Sequence, residues 1–179
     1  MSGTSRRGRL LASANVREFF RDSVDDALSR RKLEADDHTI HYVVNLLTLF
    51  TRAEEFYRDA PPGRGMPPLA RLFADASDAD SDFDRDRYLQ RLGDVALFMA
   101  GFFPDYFERR PVGVDYCIRM GGAAYGTLAE RSRSVPGPRA LGDIFEELAR
   151  KFVAFVDVLG EIADLGRQYT SRDILRLYD

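Results

Sequence analysis

Apolar residues recur every three or four positions through most of this chain, and no stretch alternates with the two-residue period of a half-buried strand. The pattern predicts an all-α protein of about five longer and two or three short helices. They would pack as one irregular or orthogonal bundle over residues 14–179. Val16, Phe19, Phe20, Val24, Ala27 and Leu28 mark the first helix. Asn15 and Glu18 stand at the spacing of a capping box, and Arg30, Arg31 and Lys32 suit the negative end of the helix dipole. The second helix runs from Asp36 or Asp37 to Arg58. Its apolar positions, Ile40, Val43, Val44, Leu46, Leu47 and Phe50, cover more than half of the circumference, the mark of a central helix. His38, His41, Asn45, Thr48 and Arg52 form the remaining polar stripe.

Proline and glycine punctuate the chain after Arg58. Asp59 to Pro68, DAPPGRGMPP, reads as a loop, and Pro68 opens a short helix to Ala76 with Leu69, Leu72 and Phe73 inward. After the acidic turn from Ser77 to Asp82, a long helix spans residues 83–100 with Tyr88, Leu89, Leu92, Val95, Ala96 and Met99 inward. Gly101 is placed to end it in a left-handed conformation. A short helical piece begins at Pro104. Val114 to Glu130, VDYCIRMGGAAYGTLAE, reads as a helix carrying three glycines. Residues 131–138 read as a linker, and Leu141, Ile144, Phe145, Leu148, Phe152, Phe155, Leu159 and Ile162 predict one long helix over 141–166. Ser171 caps a final short helix.

Composition narrows the class. Apolar content of 45% and charged content of 31% are those of a globular protein, and the net charge of −3 provides no overall basic field for nucleic acid. The residues 1–13, with Arg6, Arg7 and Arg9, read as a flexible basic tail, a weak signal for a nucleic-acid arm. One cysteine, Cys117, leaves no internal disulfide and fits a reducing compartment. No apolar run reaches membrane-spanning length, so a cytoplasmic location is expected.

The chemistry-bearing motifs are sparse. His38 and His41, three apart on the second helix, supply two metal ligands where a site wants three or four, so no metal and no cofactor are expected. Asp78, Asp80, Asp82 and Asp84 alternate like a calcium loop, but the sixth and twelfth positions hold Phe83 and Leu89 instead of glycine and glutamate. Cys117 projects to the core face with Gly121, Ala124 and Leu128. Asp115, Arg119, Gly122 and Gly126 fall on the opposite stripe, with Tyr125 between the faces at the edge of any groove there. Each glycine inside a helix loses about 1 kcal/mol against alanine, so two of them on an outer stripe argue for something lying close against it.

The segments YVVNLL (Tyr42 to Leu47), RLGDVALFMAGFF (Arg91 to Phe103) and DYCIRMGGAAYG (Asp115 to Gly126) resemble an uncharacterised family of bacterial helical proteins of about this length, over most of residues 16–130. The resemblance implies a bacterial cytoplasmic setting and brings no activity, ligand or residue role. The expectation is therefore a non-catalytic interaction or regulatory protein that self-associates through the glycine-bearing helix, with another copy, an acidic protein or a small anion on the Asp115–Gly126 strip. The alternative is a small-molecule binder or enzyme with a pocket between the second helix and the Asp115–Gly126 helix.

Overall fold

The computed structural model describes the backbone of residues 3–58, 69–108, 111, 113–135 and 139–177, and the side chains of 16–51, 71, 73–108, 111, 113–135 and 141–166. Of these described residues 88% are helical, and no strand occurs among them, in agreement with the all-α expectation. The chain forms two compact units, Met1–Pro61 and Pro62–Asp179. They part inside the predicted loop from Asp59 to Pro68, all of which lies outside the described residues.

The first unit is a helical hairpin of α1 (Gly3–Arg31) and α2 (Asp37–Arg58) packed on each other. Val24 and Ala27 of α1 and Val43 and Leu47 of α2 are fully buried. A paired hydrogen-bond motif ends α1: the Leu33 N–H donates to the Leu28 carbonyl at 3.0 Å and the Lys32 N–H to the Ser29 carbonyl at 3.2 Å. Lys32 takes the left-handed conformation this requires, with φ of 53°. Asp36 begins α2 by accepting the His38 N–H at 2.8 Å. That backbone bond, then the His38 ring nitrogen 3.0 Å away, holds the Asp36 carboxyl below its ordinary value.

The start of α1 differs from expectation. Helix α1 is described from Gly3, so residues 3–13 of the expected tail carry helical backbone and Asn15 lies within the helix instead of capping it. Residues 5–14 hold arginine, leucine, alanine and serine, one glycine (Gly8) and no proline, so a helix begun downstream meets no strong stop signal as it extends backwards.

The second unit holds α3 (Leu69–Ser77), α4 (Asp82–Phe102), a 3-10 turn (Pro104–Phe107), α5 (Val114–Ser134), α6 (Arg139–Arg150) and α7 (Phe152–Leu177). Helix α4 packs on α3, α5 and α7, while α5 packs on α4, α6 and α7. Leu92, Leu97 and Phe98 of α4, Tyr125 of α5, Leu148 of α6 and Phe155 and Leu159 of α7 are the large side chains at the centre of the core.

Glycines at the helix contacts permit this packing. A Cβ on Gly121 would stand 2.4 Å from the Phe152 ring and 2.7 Å from the Ala96 Cβ, so the bare backbone is where α4 and α7 close on α5. On α4, a Cβ at Gly93 would stand 2.5 Å from the Tyr125 ring. Gly101 does not take the left-handed role expected of it. It lies inside α4, which runs on to Phe102, and Leu159 of α7 occupies the space its side chain would need.

The predicted single helix over 141–166 is two helices, interrupted at Lys151. Helix α6 lies along α5, whereas α7 also packs on α4. The apolar period continues in phase from Phe145 through Phe152 to Leu159, and neither proline nor glycine marks the break. Helix α5 is correspondingly longer than predicted, reaching Ser134. Phe73, Tyr88 and Leu141, expected inward, are exposed, and Met99 is only half-buried. Each lies at the margin of its apolar stripe, where the wheel alone does not say which neighbour covers it.

Candidate functional site

Helix α5 presents Arg119, Ala123, Thr127 and Glu130 to solvent as one continuous stripe. On one shoulder of that stripe an open groove of about 630 Å³ lies between α5 and the α6–α7 junction. Arg119, Gly122 and Ala123 line it from α5, and Arg150, Val153 and Asp157 from the other side. Ala149 and Phe152 add apolar surface. Val153 is 58% exposed and gives the groove an aliphatic edge. Arg119 and Arg150 are both exposed, whereas the nearby Lys151 ammonium is engaged by Glu147 at 2.9 Å.

The predicted strip is thus brought together only in part. Asp115 is exposed, but no ion pair joins it to Arg119 among the described residues. Gly122 opens onto the groove, where an added Cβ would meet only Phe152, at 4.0 Å. Gly126 is half-exposed, faces Ala149 of α6 at 3.9 Å and does not line the groove. Tyr125 belongs to the core instead of a groove edge: it is fully buried, stacks on Phe145 with ring centroids 5.6 Å apart, and donates its hydroxyl to Asp94 at 2.6 Å. A side chain this large turns inward because Gly93 leaves room for it. Arg150 and Val153 had no sequence signal, because the groove exists only where α6 gives way to α7.

The other shoulder of α5, at its C-terminal end, meets the acidic turn that joins α3 to α4. Arg131 bonds to Asp86 and reaches Asp82 at 3.1 Å, and these two bonds hold its guanidinium above its ordinary value. Ser81 caps α4 by accepting the Asp84 N–H at 3.1 Å. Asp78 and Asp80 are exposed and enter no ion pair among the described residues. Phe83, beside them, is 71% exposed, with the Arg87 guanidinium 5.8 Å from its ring centroid. Arg133 ties the end of α5 to Glu146 of α6 at 2.6 Å.

Cys117 is fully buried, as its spacing predicts, and its thiol donates to the Ala96 carbonyl at 3.4 Å. Burial pushes it up to about 12, so the nucleophilic thiolate is not formed near neutrality. His38 and His41 are exposed on α2, and Asn45 accepts a bond from Arg17 at 2.5 Å. Thr48 departs from the polar stripe: it is buried and donates its hydroxyl to the Val44 carbonyl at 2.8 Å. The side chain of Arg52 lies outside the described residues. No group of three or more histidine, cysteine, aspartate or glutamate side chains among the described residues is placed to hold a metal ion. No described helix is long and apolar enough to cross a membrane.

The chain matches no family model, no curated protein and no solved structure.

Proposed function

We propose that this chain is a non-catalytic interaction protein that self-associates through the open face of α5, and that it works in the bacterial cytoplasm. The observation that carries the reading is the groove beside Gly122, which combines exposed apolar surface at Val153 with two exposed arginines. That pairing of apolar floor and charged rim is the anatomy of a protein interface. A small anion would instead call for an enclosed site with several converging donors, and this groove is wide open to solvent.

Solution mass tests the reading. The parent protein should sediment as a dimer at micromolar concentration. Gly122→Leu places its side chain in the groove, where the isolated chain has room for it, so the variant should remain folded and become monomeric. A monomeric parent, or a Gly122→Leu variant that keeps the parent's mass, would overturn the proposal.

A further inference from the structure

The two features on either shoulder of α5 are complementary in kind. The groove offers apolar surface bordered by three cations, Arg119, Arg150 and Lys151, and one carboxylate, Asp157, so its border is positive on balance. The α3–α4 turn offers Asp78 and Asp80, both exposed and outside any ion pair among the described residues, followed by the exposed Phe83. Within one chain they lie toward opposite ends of the same helix. Arg119 stands at the groove and Arg131 at the acidic turn, about 18 Å apart along the axis at 1.5 Å per residue.

Their placement around α5 is also opposed. Gly122 and Gly126 face α6 and α7, whereas Cys117 and Arg131 face α4 and its acidic turn. The exposed stripe of Arg119, Ala123, Thr127 and Glu130 runs between these two shoulders. A line from groove to acidic turn therefore crosses the stripe obliquely. A two-fold axis that lies in the plane of contact, passes through the middle of the stripe and is perpendicular to that line turns the line end for end. It carries the acidic turn of each copy over the groove of the other, and the two α5 helices cross at the axis. Closed symmetric contacts of this kind use one surface twice, so both reciprocal pairings form together.

Resting on self-association through α5, we infer that the occupant of the groove is the Asp78–Asp80 turn of a second copy, with its carboxylates on Arg119 and Arg150 and Phe83 against the apolar floor. The small side chains of Ala123 and Thr127 let the two α5 helices cross closely at the axis. Charge pairing at the rim sets the register and the rate of encounter, and the apolar floor supplies burial.

Charge reversal with reciprocal rescue tests this on the full chain. Arg119→Glu/Arg150→Glu places carboxylates opposite carboxylates in both halves of the dimer; Asp78→Arg/Asp80→Arg places guanidinium groups opposite guanidinium groups. Each variant alone should weaken association at least tenfold, with circular dichroism unchanged. Mixing the two should restore a dimer, because the hybrid has one reversed and one natural pairing, both attractive. If the parent is dimeric and the arginine variant dimerises equally well, the acidic turn is not the occupant although self-association stands. Failure of the mixture to restore a dimer overturns the pairing as well. A parent that is monomeric in sedimentation removes both readings.

Discussion

Lys32 is the one described residue other than glycine with a positive φ, and it sits where α1 hands over to α2. The conformation is set by the two hydrogen bonds that satisfy the Leu28 and Ser29 carbonyls, so the turn selects a left-handed residue whatever its side chain. A lysine there carries the steric cost that glycine avoids. Lys32→Gly should raise stability by about 0.5–1 kcal/mol, with the denaturant midpoint rising at unchanged slope. A midpoint that stays or falls would show that the lysine stem makes contacts worth more than the strain it carries.

Among the elements, α5 shows how neighbouring positions of one type do different work. Gly121 and Gly122 are adjacent and identical, yet one lies against two helices and the other borders the groove. An alanine Cβ at 121 would fall 2.4 Å from Phe152 and 2.7 Å from Ala96, both held in the core. Gly121→Ala should therefore cost about 1–3 kcal/mol through overpacking. At 122 the nearest atom to the new Cβ is 4.0 Å away. Gly122→Ala should stabilise the monomer by up to about 1 kcal/mol through helix propensity alone. Thermal melts of the pair, made under dissociating conditions, check both signs at once; equal shifts would mean that α5 is rotated from the described packing.

At the level of the whole molecule, the division at Pro61 and Pro62 gives residues 62–179 a core of their own. Leu92, Phe98, Tyr125, Leu148, Phe155 and Leu159 all come from this unit and are all less than 2% exposed. A segment of this size with one continuous apolar interior is long enough to fold alone. Expressed by itself, 62–179 should be helical by circular dichroism and unfold in a single cooperative transition. A broad, non-cooperative melt would show that residues 62–179 are not a folding unit by themselves.

Periodicity in the sequence determined the helical class, the helices' order and the buried face of most of them, because a 3.6-residue repeat of apolar side chains has few other solutions. It also assigned Cys117, Gly121, Ala124 and Leu128 to one buried face, since positions three and four apart share a side of the helix. Three things were decided only by tertiary packing. The break at Lys151 leaves no mark because the apolar phase runs through it while the neighbours change from α5 to α4. Tyr125 lies at the boundary of its wheel and turns inward only because Gly93, 32 positions earlier, leaves a space for its ring. The groove beside Gly122 is formed by residues from both sides of that unmarked break, so its shape belongs to the meeting of α5, α6 and α7 and to none of their sequences taken singly.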